Sequence, residues 1–75
     1  MFVEIRNEAE VFTVDLPQVP AIGETISRYD GETELTLEVV PGRRLWVLDK
    51  GQPPIAIITA RVRSRSSSVE RIEAL

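Results

Sequence analysis

Three arginines recur at alternate positions near the end of the chain: Arg61, Arg63 and Arg65. On an extended strand, successive side chains point to opposite faces. Period two therefore predicts one row of guanidinium groups, about 13 Å long at ~3.3 Å per residue. Two more arginines, Arg43 and Arg44, stand just before the only tryptophan, Trp46. Guanidinium groups beside an aromatic ring are what holds single-stranded nucleic acid, through phosphate contacts and base stacking. The same groups suit an acidic protein surface. They also suit the chain's own acidic strand faces, at Glu4 and at Glu32–Glu38, where opposite charges on facing strands pair.

Acid–base and nucleophilic chemistry have little to work with. The chain contains no histidine and no cysteine. The commonest general base, the usual zinc ligands and any disulfide are thus excluded. Glu34 and Glu38 share a strand face but stand about 13 Å apart along it, too far to act as a coupled pair. Lys50 sits beside Gly51 in a loop, and Ser66–Ser68 has no base in view. No Gly-rich loop opens a helix, so the nucleotide-binding fingerprints are absent. These residues predict a protein that is not an enzyme and carries neither metal nor cofactor.

The elements that position the arginines and Trp46 are strands. Val3 and Ile5 share one face of Phe2–Arg6. Phe12, Val14 and Leu16 share one face of the next run, and a polar turn at Asn7-Glu8-Ala9 joins the two as a hairpin. Leu16–Ile26, LPQVPAIGETI, then interrupts the alternation. Pro17 and Pro20 lack the N–H that a ladder requires, and Gly23 can take a φ that a Cβ resists. This is a corner, after which Glu24–Tyr29 resumes as a strand with Ile26 inward. Asp30-Gly31 predicts a type I′ hairpin turn. Glu32–Val40 is the clearest strand: Thr33, Leu35, Leu37 and Val39 face one way, and Glu32, Glu34, Thr36 and Glu38 the other. After a turn at Pro41-Gly42, Arg43–Asp49 is apolar on both faces. Regular alternation puts Leu45 and Val47 in the core and leaves Trp46 and Leu48 outward; a bulge would turn Trp46 in. The last long strand, Ile55–Arg65, has Ile58, Ala60 and Val62 on one face and Thr59, Arg61, Arg63 and Arg65 on the other. Ser67 and Glu70 have capping-box spacing, with Val69, Ile72 and Leu75 recurring after it, so a short helix or a tail follows.

Seventy-five residues make at most one domain with a small core, so a second copy would add needed burial. The net charge of −3 is uneven: residues 1–38 hold nine acids and two bases, residues 39–75 three acids and seven bases. No apolar stretch reaches the roughly 18 residues that cross a bilayer. MFVEIRNEAE has no basic n-region followed by an apolar h-region. The expectation is a soluble cytoplasmic protein with no membrane contact.

Five or six short strands with tight turns predict an all-β domain over residues 1–65. The strand count favours a small SH3-like barrel of five to six antiparallel strands, with residues 66–75 as a C-terminal tail or short helix. The corner at Leu16–Ile26, the turn at Asp30-Gly31 and the strand ending Val39-Val40 resemble small bacterial and phage SH3-like barrel proteins. In those, a hairpin leads through a Pro-x-x-Gly-(Asp/Glu)-x-(Ile/Val) corner into a meander. The likeness covers residues 2–62 and is one of fold, shared with KOW-like barrels. It implies no particular chemistry. It fits a bacterial or phage accessory protein, for which inhibition of a host defence system is one role. The expected function is binding to another protein, including a second copy as a homodimer. The contact residues are Arg43, Arg44, Trp46, Leu48, Arg61, Arg63 and Arg65. The alternative is nucleic-acid binding by the five arginines.

Overall fold

The computed structural model describes residues 1–67. It is all-β: β1 (Phe2–Arg6), β2 (Val11–Asp15), β3 (Thr25–Asp30), β4 (Thr33–Val39), β5 (Leu45–Val47) and β6 (Ile55–Ser67). The strands run β2-β1-β6-β4-β3 across one curled sheet that forms a half-barrel, with β5 added beside β6. Among the described residues no helix is long and apolar enough to cross a membrane.

β6 is the spine. Its first half pairs β1 through Ile55–Thr59 and β5 through Ile55–Ile57, and its second half pairs β4. Four of the five pairings are antiparallel, as expected; β1 with β6 is parallel. Period-two alternation is the same for both senses of pairing. A parallel pair needs a long connection, and here almost the whole chain between the first and last strands supplies it. β6 also continues past the expected end at Arg65, because Glu34 and Thr33 of β4 give Ser66 and Ser67 partners. The helix or tail expected around Val69, Ile72 and Leu75 lies outside the described residues.

The core follows the alternation. Val3, Ile5, Leu35, Leu37, Val39, Ile58 and Ala60 are buried, and Phe12, Val14, Ile26 and Val62 pack against them. The first hairpin lacks glycine, and the Asn7 side chain does its work: Oδ1 accepts from the N–H groups of Ala9 and Glu10 at 2.9 and 3.0 Å.

The corner forms around Gly23. Glu24 N–H donates to Ala21 C=O at 3.0 Å, and Gly23 has φ +96°, the signature of a type II turn with glycine third. Gly23 N–H then reaches Val39 C=O at 2.8 Å, so the turn leads straight into the β3–β4 ladder. The next hairpin differs from expectation by one residue. Asp30 pairs Thr33, leaving Gly31 and Glu32 as the loop. Gly31 has φ +61° and among the described residues none but glycine has positive φ, so the turn is type II′ and not type I′. Asp30 thereby avoids a left-handed backbone. Gly42 is required for a different reason: a Cβ there would stand 2.8 Å from Cβ of Thr59, a stiff β-branched residue.

Candidate protein-binding surface

The arginine row does not exist as a row. β4 and β6 are in register from Val39↔Ala60 to Leu37↔Val62, then resume at Thr36↔Ser64. Arg63 is the extra residue of a β-bulge and has no opposite number. Beyond a bulge the side-chain phase reverses. Arg61 lies opposite Glu38 on the outer face, while Arg65 lies opposite Leu35, on the core-facing side. Arg65 there lines one end of the half-barrel with Arg28, Glu10 and Asp30. Arg63 pairs with Glu38 at 3.3 Å. Pairing with the acidic strand therefore accounts for Arg63, and register places Arg61 opposite the same Glu38. Glu4 pairs instead with Arg6, two residues along its own strand, at 2.6 Å.

Arg43 and Arg44 are apart from that group, because β5 pairs the first half of β6 and the other arginines sit on the second. Thr59 Oγ1 donates to the Arg43 C=O at 3.1 Å. Arg44 Nη2 donates to the Pro20 C=O at 3.2 Å, which ties the corner to the start of β5. The corner thereby borders the contact residues: Val19 and Arg44 line an open hollow together with Trp46.

Trp46 is 52% exposed and Leu48 76% exposed, as regular alternation predicts. The faces, however, are reversed. Trp46 lies opposite Ala56, a core residue, whereas Leu45 and Val47 lie opposite Ile57 and Ile55 on the outer side. Trp46 is exposed on a three-residue strand that has β6 as its one neighbour among the described residues. Val47 was expected in the core and is 39% exposed.

The outer side of this end is thus apolar too. Phe2 lies opposite Ile55 on β1, is 42% exposed, and borders an open groove with Val47, Pro53 and Ile55. Phe2 was not among the expected contact residues, and Val47 was expected in the core. The signal for this surface was the unbroken run Ile55-Ala-Ile-Ile58. A strand apolar at every position is one with apolar neighbours on both faces. Here the inner face meets the core and the outer face meets Phe2, Leu45 and Val47.

Comparison with protein-family models, with curated proteins and with solved structures finds no match to this chain. The surface must be judged on its own chemistry. Among the described residues no three His, Cys, Asp or Glu side chains gather into a metal site.

A second feature escaped the sequence reading. β2 and β3 are the two ends of the five-strand path through the sheet, and Arg28 bridges them. Its guanidinium carbon lies 4.0 Å from the Phe12 ring centroid and its Nη1 lies 2.9 Å from Glu10 Oε1. The clue was a charge in the core-facing phase of β3, two residues after Ile26. A half-exposed cation–π contact and a surface ion pair are each worth about 0.5–1 kcal/mol. Arg28→Ala is expected to lower Tm by several degrees, since about 1 kcal/mol shifts a domain of this size by roughly 4–8 °C. Arg28→Lys keeps the charge but loses the planar stack and should recover only part of it. Thermal unfolding followed by circular dichroism measures both.

Proposed function

We propose that the protein is a cytoplasmic, non-enzymatic protein-binding module whose contact surface is the β5 end of the half-barrel. The observation that carries this reading is the exposure of Trp46, Val47, Leu48 and Phe2 around one short strand. Tryptophan in particular is enriched among residues that anchor interfaces. Arg43 and Arg44 form a basic margin to this surface. The likeness of the corner to bacterial and phage barrels supports an accessory role, such as inhibition of a host defence system.

The test is site-specific photocrosslinking in the native host, with a benzophenone amino acid replacing Trp46 or Leu48 and, as a control, Ile22, which is exposed on the corner. Protein adducts from positions 46 and 48 but not 22, whether to a second copy or to another protein, are the expected result. No adduct at either position removes the reading. Nucleic-acid binding has lost the continuous row that recommended it. Oligonucleotide titration at about 50 mM salt is expected to show no affinity that collapses by 200 mM, the behaviour of a protein that neutralises several phosphates.

A further inference from the structure

We infer that the occupant of this surface is a second copy of the chain, joined through antiparallel pairing of β5 with β5 of its partner, with Trp46 on the two-fold axis. The inference rests on the binding-module reading and names its partner.

The first observation is a free edge. Val40 N–H donates to the Thr59 C=O, so the odd-numbered residues of β6 ahead of the bulge turn their backbone groups toward β4 and β5. Leu45 and Val47, opposite Ile57 and Ile55, turn theirs back to meet them. By alternation, the Trp46 N–H and C=O point the other way. Among the described residues β5 pairs only with β6, so that edge of Trp46 has no ladder partner. Exposed edges with apolar side chains are where chains add strand to strand.

The second observation is that the sequence around β5 is complementary to its own reverse. Arg43-Arg-Leu-Trp46-Val-Leu-Asp49 laid antiparallel on itself, centred at Trp46, sets Arg43 opposite Asp49 and Leu45 opposite Val47. Both contacts occur twice, as a two-fold interface requires. Trp46 meets its own copy, and the Trp46 N–H and C=O groups exchange across the axis as a hydrogen-bonded pair. Arg44 falls opposite Leu48, whose exposed side chain its methylene stem can cover. On the outer side, Leu45 and Val47 of the two copies join the apolar surface of Phe2 and Ile55 into one continuous strip. An unrelated partner would not require the charges flanking this strand to match in reverse order. A small core also gains most from a like copy.

The pairing makes a sharp prediction about charge. Arg43→Asp places acid opposite acid twice, and Asp49→Arg places base opposite base twice. Mixing these two variants restores both opposite-charge pairs, since each copy of one faces two matching charges on the other. Sedimentation equilibrium from about 1 µM to 1 mM reads the outcome, with circular dichroism confirming that each variant folds. The expected result is concentration-dependent doubling of the 8.4 kDa mass for the wild type. Each single variant should associate at least tenfold more weakly, and the equimolar mixture should associate nearly as the wild type does. Trp46→Pro, which removes the edge N–H without touching the bonds to β6, should abolish association.

Two results overturn the inference. One is a wild-type protein that stays monomeric throughout. The other is a dimer indifferent to the charge reversals and to Trp46→Pro. A monomer that still crosslinks another protein from position 46 or 48 overturns the dimer and leaves the binding-module reading standing. A monomer with no crosslinks ends both.

Discussion

Replacing Ile58 with alanine is expected to destabilise the protein by about 2–5 kcal/mol, the cost of leaving a cavity in a packed core. Ile58 is fully buried on β6, lies opposite Ile5 on β1, and faces the same interior as Leu37 and Ala60. A domain of this length has roughly 4–11 kcal/mol of stability in total at ~0.05–0.15 kcal/mol per residue. The substitution therefore removes a large share of it, and at the lower end unfolds the chain. β6 is the strand on which β1, β4 and β5 all depend. Loosening it should leave no independently folded half, so loss of structure should be a single transition. Urea unfolding followed by both Trp46 fluorescence and far-UV circular dichroism measures this, and the two curves should coincide. Ile22→Ala, at an exposed position on the corner, serves as reference and should fall within about 0.5 kcal/mol of the wild type. An Ile58→Ala protein as stable as that reference would mean that β6 is not the packed centre of the sheet.

Gly23→Val should be the next most damaging change, at about 1–3 kcal/mol for holding a β-branched residue at positive φ. No side chain surrounds the Cβ position, so the penalty comes from the backbone and not from crowding. Gly23→Ala should cost nearly as much for the same reason. This separates the corner from Gly42, where the backbone is permissive and Thr59 stands in the way. The expected consequence is a fall in Tm with association largely retained at temperatures where the variant is folded. The corner does border the contact surface, through Val19 and through the Arg44–Pro20 hydrogen bond. A modest weakening of association is therefore expected alongside the loss of stability. A Gly23→Val protein that keeps its Tm but loses its partner would reverse these roles.

Much of the fold was legible because burial on one face imposes period two. Val3 and Ile5, Leu35, Leu37 and Val39, and Ile58 and Ala60 all occupy the core faces their spacing indicated. The corner was legible because Pro17, Pro20 and Gly23 act through local backbone geometry alone. The candidate site was legible in part. Trp46 and Leu48 are exposed, as alternation suggested, but Trp46 lies on the side of the sheet opposite to the expected one. The arginine row failed because one bulged residue, Arg63, shifts the phase for everything after it. Nothing in the local residue types marks a bulge there, on a strand that meets both β4 and the first hairpin. Glu8 of that hairpin accepts from the N–H of Val62 just before the bulge, a contact between residues 54 positions apart.

The sequence by itself determined the strands, their inward faces, the corner and the exclusion of histidine and cysteine chemistry. These rest on side-chain period, on proline and glycine backbone limits and on composition, all of them local. The tertiary structure decided the parallel pairing of β1 with β6, the scattering of Arg61, Arg63 and Arg65, the Arg28 bridge between β2 and β3, and the apolar outer side at Phe2, Val47 and Ile55. Each depends on which strand lies beside which. Alternation along a strand is blind to that choice, because one pattern satisfies either neighbour and either direction.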